Sequence, residues 1–121
     1  MPEPEGECML NFQVLARDKE SKARTGLLTT DHGLVHTPCF MPVATWGTVK
    51  TLSSEEVRQI GAEIVIANAY HLWRRPGVEV IERAGGLHRF MSWDRALVTD
   101  SGGFQIFSLE EVKIEKDGVV F

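Results

Sequence analysis

The run Asp100-Ser101-Gly102-Gly103-Phe104-Gln105 gathers more chemistry into six positions than any other part of this 121-residue chain. The Asp100 carboxylate can accept N–H bonds or a proton, the Ser101 hydroxyl can donate and accept, and the Gln105 amide does both. Gly102 and Gly103 carry no Cβ, so their backbone amides can come close to a flat ligand. Phe104 adds a ring face for stacking. A carboxylate taking two parallel N–H bonds from a guanine-type edge, under an aromatic ring, is the ligand chemistry this set fits best. The same residues also fit a plain glycine-rich turn, and the local pattern alone does not separate the two.

Other runs hold polar groups that can join them. Asn68-Ala69-Tyr70-His71 and Val43-Ala44-Thr45-Trp46-Gly47-Thr48 each follow an apolar stretch, as Asp100 does. Asn68, His71, Thr45 and Trp46 can therefore converge on one mouth. Taken singly, His71 also fits a bond to a nearby carbonyl, Tyr70 fits ordinary packing, and Thr45 and Trp46 fit loop structure. His32 and His36 stand four apart, a metal-pair spacing on a helix, but they flank Gly33 in an expected hairpin, so no metal is expected there. Arg74 and Arg75 suit phosphates or simply solvent. Phe90, Met91 and Trp93 fall in an expected loop, where an interface or packing against further protein would explain such apolar bulk.

Elements that could position these groups are legible from pattern. Phe12–Arg17 reads as a strand, and Gly26–Thr29 and Leu34–Thr37 flank a turn-rich tetrad, giving a small antiparallel element. Cys39–Val43 is a short apolar strand weakened by Pro42, which has no amide donor. Ser53 with Glu56 forms a capping box at the head of a helix, Leu52 and Val57 fit its hydrophobic staple, and Gly61 stops it. Glu63–Asn68 has the unbroken apolar centre of a strand buried on both faces. A helix is expected from Pro76 to Gly85-Gly86, then a buried strand at Ala96–Thr99, then a hairpin at Val112–Glu115 and Val119–Phe121. Strands starting near 39, 63 and 96 with helices between them describe a βαβαβ unit with a parallel sheet, which opens either a barrel or a doubly wound fold. Asp100 then lies at the C-terminal strand edge, where such folds bind ligands.

Composition bounds the class. With 43% hydrophobic and 25% charged residues the chain is an ordinary globular sequence. No apolar stretch approaches the ~20 residues of a membrane span. The acidic start, Met1 to Glu7, is unlike a signal peptide, so a cytoplasmic protein with no membrane partner is expected, disordered over residues 1–8 and ordered over 9–121. Cys8 and Cys39 make neither a disulfide framework nor a zinc knuckle. The net charge of −4 taken alone argues against an RNA partner.

Three motifs nevertheless carry a family resemblance. They are Phe40-Met41-Pro42-Val43 with Gly47-Thr48-Val49-Lys50; Asn68-Ala69-Tyr70-His71-Leu72 with Arg75-Pro76-Gly77; and Thr99-Asp100-Ser101-Gly102-Gly103-Phe104-Gln105. In order and spacing, from about Met9 onward, the chain resembles the N-terminal part of bacterial-type tRNA-guanine transglycosylases, or queuine tRNA-ribosyltransferases. The resemblance implies an α/β fold, the first portion of a (β/α)8 TIM-type barrel preceded by a small antiparallel element. It implies a pentosyltransferase that exchanges guanine at the tRNA wobble position for a 7-deazaguanine in queuosine biosynthesis, through a covalent intermediate formed by an aspartate on the ribose C1′. By position Asp100 matches the family's general acid/base aspartate. Ser101, Gly102, Gly103 and Phe104 match the base-binding loop, Gln105 its polar support, and Asn68 and His71 residues near the pocket. The nucleophile and a zinc site of three cysteines and one histidine fall beyond Phe121 in the family, so the expectation is a truncated chain, inactive alone, with no cofactor of its own. The whole protein is expected to be a homodimer, with Lys50 and the Phe90-Met91 region in its contacts. Two rivals remain: a noncatalytic accessory subunit, and an unrelated barrel enzyme holding phosphate on Ser101 and the glycine amides.

Overall fold

A computed structural model describes residues 10–109 and 112–120. The expected disorder of residues 1–8 lies outside them. Three strands, β1 (Asn11–Arg17), β2 (Arg24–Thr30) and β3 (Gly33–Thr37), form the antiparallel opening element in the order β1-β2-β3. Val35 on β3 is 1% exposed and packs with Ile64 and Ala96. The element is further tied down at Glu63, whose carboxylate accepts from the His36 backbone N–H at 2.6 Å and meets His36 Nδ1 at 2.8 Å. The His36 amide, and then its ring, hold the Glu63 carboxyl below its usual range.

Helix α1 (Ser54–Gln59) begins as its sequence dictates. Ser53 Oγ accepts from the Glu56 N–H while Glu56 Oε2 accepts from the Ser53 N–H, so both halves of the capping box are present. Ser53→Ala removes one half, and a loss of about 1 kcal/mol in chemical denaturation of the whole protein is expected; an unchanged midpoint would show that the cap is redundant. Val57, the buried face of α1, joins Ala44, Ala62, Val65, Met91 and Trp93 in the larger core cluster.

Strand β4 (Ile64–Asn68) is buried on both faces, Ile64 toward the antiparallel element and Val65 toward α1. It pairs in parallel with β5 (Ala96–Asp100), Ile64 opposite Ala96 and Asn68 opposite Asp100. Only the first part of β5 is covered: Ala96 is 3% exposed, whereas Val98 and Thr99 are exposed. The strand expected at Cys39–Val43 is reduced to one parallel bridge between Val43 and Ile66. Pro42 still accepts from the Ile66 N–H at 3.0 Å, but with no N–H of its own it cannot continue a ladder.

Between β4 and β5 the chain folds differently from expectation. Residues Ala69–Arg74 form helix α2, an element to which the sequence pattern assigned nothing; Asn68 Oδ1 accepts from the His71 N–H and caps it. The next helix, α3 (Val78–Arg83), starts two residues later than Pro76. The Arg75 N–H is bonded to His71 O and the Gly77 N–H to Leu72 O, so this stretch closes α2 and cannot yet open α3. Phe90 and Met91 lie on a further helix, α4 (Leu87–Met91), and neither an interface nor other protein is needed to explain their bulk. Met91 and Trp93 are 7% and 3% exposed in the core, and the Trp93 indole N–H donates to Ala96 O at 2.9 Å. Phe90 packs where Gly47, at φ +77°, leaves room; a Cβ there would stand 2.8 Å from the ring. Helix α5 (Gly103–Ser108) follows β5, and β6 (Lys113–Glu115) with β7 (Gly118–Val120) forms the final hairpin.

His32, in the β2–β3 turn, stacks on His88 of α4, ring centroids 3.6 Å apart and 15° from parallel. Burial first, then the His32 charge, lowers the His88 pKa from its ordinary 6.5, against the opposing pull of the Arg95 carbonyl. The unfolded chain then binds more protons than the folded one near that pH. The contribution is complete above pH 6.5 and is lost as pH falls through the folded value. In melts of the whole protein between pH 7.5 and 5.5, His88→Gln is expected to flatten this acid sensitivity; identical slopes would exclude the effect.

Candidate active site

Parallel register brings Asn68 and Asp100 together at the C-terminal ends of adjacent strands. Asn68 is 8% exposed, and its buried amide is satisfied in a way that fixes its orientation. Its Oδ1 is held by the His71 N–H at 3.0 Å, so its Nδ2 must face the other way, where it donates to Asp100 Oδ2 at 2.8 Å and Gln105 Oε1 at 3.3 Å. Asp100 Oδ1 accepts from the Gly102 N–H at 3.0 Å and the Ala69 N–H at 3.3 Å. The carboxylate is thus placed by three donors from β4, α2 and the loop that follows β5.

Gly102 is what lets that loop close. Its φ of +69° is a left-handed conformation, and an added Cβ would lie 2.7 Å from Tyr70 Cβ. Tyr70, 8% exposed and bonded at its hydroxyl by Arg74 Nη1 at 3.2 Å, is the surface against which the loop seats.

Asn68, His71, Asp100 and Gln105 line an open cleft of about 270 Å³, with Val43, Thr45, Ile66 and Ala67. Four of the eight residues singled out by sequence therefore share one wall. The others do not line it: Ser101 is exposed, Gly102 is buried against Tyr70, Gly103 opens α5, and Phe104 is 76% exposed. Thr45 was foreseen and also accepts the Asn68 N–H at 3.3 Å. Trp46 was weighed as a lining residue but stands outside the cleft, its ring 6.0 Å from that of His71. Sequence reasoning missed Val43, Ile66 and Ala67; the one available signal was the alternation of β4, which turns Ile66 away from the Val65 face.

The arrangement can hold a flat polar ligand against a carboxylate and an amide, with apolar contact from Val43 and Ile66. No group of three or more His, Cys, Asp or Glu among the described residues is placed to hold a metal ion. His32 stacks on His88 and His36 pairs with Glu63, so these two histidines do not converge. Cys39 is free and exposed. No helix among the described residues is long and apolar enough to cross a membrane.

The family model described as queuine tRNA-ribosyltransferase matches residues 18–121. The chain is similar to the curated queuine tRNA-ribosyltransferase of Moorella thermoacetica, 57% identical over 113 residues, and to that of Caldanaerobacter subterraneus, 54% identical over 113 residues. Each alignment covers 93% of this chain and 30% of the relative. The protein of that name from Enterococcus faecalis is 52% identical over 116 residues, 95% of this chain and 30% of its own length. The chain thus spans about 30% of the length of the curated relatives it matches.

Proposed function

The chain belongs to the queuine tRNA-ribosyltransferase family, and from that premise we propose that the Asp100 cleft is the purine site of a tRNA-guanine transglycosylase. The whole protein exchanges guanine at the tRNA wobble position for a 7-deazaguanine, in the cytoplasm where its tRNA substrate resides. The observation that carries this reading is the Asp100 carboxylate, held by three donors at the mouth of a cleft on the C-terminal edge of a parallel strand pair. That is the ligand edge of a (β/α)8 barrel, of which β4, β5 and the helices between them form the opening units.

Asp100 moves the proton that the departing guanine gains and the incoming base loses. A carboxylate offers about four acceptor sites, and three are already engaged here. A guanine-type edge presenting two N–H groups must therefore displace one donor. Asn68 Nδ2 loses least, because Gln105 Oε1 remains as its second acceptor. Gln105 and Asn68 are thus the polar support of the base, and His71 borders it. Ser101, Gly102 and Gly103 shape the loop around the carboxylate. Phe104, exposed in this arrangement, stacks on the base only if α5 shifts toward the cleft.

The phosphate-binding rival fits less well. The Gly102 N–H is already bonded to Asp100 Oδ1, and that carboxylate would repel a phosphate. The accessory-subunit rival is weighed against by the retained carboxylate and its complete set of donors. The family's zinc, which supplies structural ligation, would have to be held by residues other than those described here, since no suitable cluster is among them. A homodimer of the whole protein is consistent with exposed Lys50, whereas Met91 is taken up by the core.

The test is incorporation of labelled guanine into tRNA by the whole protein. Time-dependent label confined to the wobble position is expected; absence of incorporation by a folded protein would remove the proposal.

A further inference from the structure

The two histidines of the β2–β3 hairpin hold the antiparallel element to the rest of the chain by contacts that answer a proton in opposite ways. At the base of the hairpin, the Glu63 carboxylate accepts from the His36 backbone N–H at 2.6 Å and meets His36 Nδ1 at 2.8 Å. That carboxyl is held below its usual range and only accepts, so Nδ1 carries the hydrogen. A further proton on His36 goes to Nε2; it leaves both bonds in place and sets a cation beside an anion. His32, at the tip, is held differently. Its ring stacks on that of His88, 3.6 Å away and 15° from parallel, and a proton on each ring puts like charges face to face.

Of the two stacked rings, His32 is the one that can leave. His88 is half-buried and its Nε2 meets Arg95 O at 3.1 Å. A carbonyl only accepts, so Nε2 carries the hydrogen and Nδ1 takes any further proton. The bond to Arg95 O therefore survives protonation and keeps His88 in place. His32 is exposed on a self-contained turn, in which Thr30 Oγ1 accepts from the His32 N–H at 3.1 Å and donates to Gly33 O at 2.9 Å. Behind the tip, Val35 is fixed in its cluster with Ile64 and Ala96. The other charged groups of the surrounding elements are Asp31 in the turn, Glu79, Glu82 and Arg83 on α3, Arg89 on α4, and Asp94 and Arg95 before β5. Arg89 lies along Gly85, Asp94 pairs with Arg58 at 3.3 Å, and Arg95 donates to Ala62 O at 2.6 Å. His32 is the one charged side chain that moves the His88 pKa.

We propose that the hairpin is a proton-operated flap, with His36–Glu63 as its hinge and the His32–His88 stack as its catch, so that mild acid frees the tip, residues 30–34, while residues 35–37 stay docked. The catch is closed above pH 6.5 and opens as pH falls through the lower folded value of His88. Protonation of His36 meanwhile strengthens the hinge. The event is a local opening, separate from the loss of overall stability that His88 also confers. The Asp100 cleft, at the other ends of β4 and β5, is left as it is.

The experiment is amide hydrogen exchange of the whole protein at pH 7.5 and 5.5, read by mass spectrometry and corrected for the intrinsic pH dependence of exchange. In the wild type, protection of residues 30–34 is expected to fall about tenfold while that of residues 35–37 and 63–66 is retained. His32→Phe keeps a stacked ring and removes one charge, and a protonated His88 is then attracted to the ring face. Its tip should stay protected at pH 5.5. Circular dichroism at both pH values establishes that the variant is folded. A measurement that needs no variant is the contact between the His32 and His88 rings in wild-type protein with labelled histidine, expected at pH 7.5 and lost at pH 5.5. A wild-type tip equally protected at the two pH values overturns the proposal. So does equal loss over residues 30–34 and 35–37, which is general unfolding, or a full acid response in folded His32→Phe.

Discussion

Asp100→Asn is expected to abolish base exchange, by a factor of about 10²–10⁴ or more, while the whole protein still folds and binds tRNA. The amide keeps the shape of the carboxylate but cannot take up or return the proton. Its hydrogen bonds also cannot all survive. Oδ2 faces the Asn68 Nδ2 donor, and Oδ1 faces the N–H groups of Ala69 and Gly102. Whichever way the new amide turns, its NH2 is set against a donor. Asn68 cannot rotate to relieve this without releasing the His71 N–H that it caps. A local loss of about 1–3 kcal/mol is therefore expected beside the catalytic one. Single-turnover exchange and tRNA affinity measured on the same preparation separate the two, and exchange at the normal rate would refute the role of Asp100.

Gly102→Ala should give the largest stability loss of any single methyl addition in the site, about 2–4 kcal/mol. Two costs combine: a left-handed φ of +69°, and a Cβ placed 2.7 Å from Tyr70 Cβ, an atom held close to the α2 backbone. Tyr70 cannot retreat, because it is buried and lies in the first turn of a short helix capped by Asn68. If the loop lifts instead, the Gly102 N–H leaves Asp100 Oδ1, and exchange falls with stability. Thermal melting with guanine binding on the same samples tests this. A variant that melts with the wild type and binds guanine normally would show that the loop has room the structure does not provide.

What was legible beforehand came from short-range signals. Ser53 and Glu56 announced α1 three residues apart, and the apolar run from Ile64 to Ala67 announced a strand covered on both faces. Helices α2 and α5 were not legible, because each spans six residues and a helical period needs a longer window to stand out. Asn68 as a cap could have revealed α2, but its position at the end of an apolar run made it read as a strand end. Trp93 and Met91 were set aside as interface candidates because nothing local states which partner a bulky side chain will meet.

By itself the sequence determined the chemistry present: one carboxylate in a glycine-rich run, an asparagine and a histidine at the end of a neighbouring apolar stretch, and the three motifs that mark the family. Tertiary structure alone decided which of these groups meet. Asn68 and Asp100 are 32 residues apart, and whether they touch depends on the parallel register of β4 and β5, a property of the pairing and of neither segment. It likewise put Gln105 on the cleft wall and left Phe104 outside, because α5 begins at Gly103 and turns successive side chains about 100° apart around its axis. Residue types and their order are local information, whereas convergence is set by strand register and helix phase, which only the folded chain possesses.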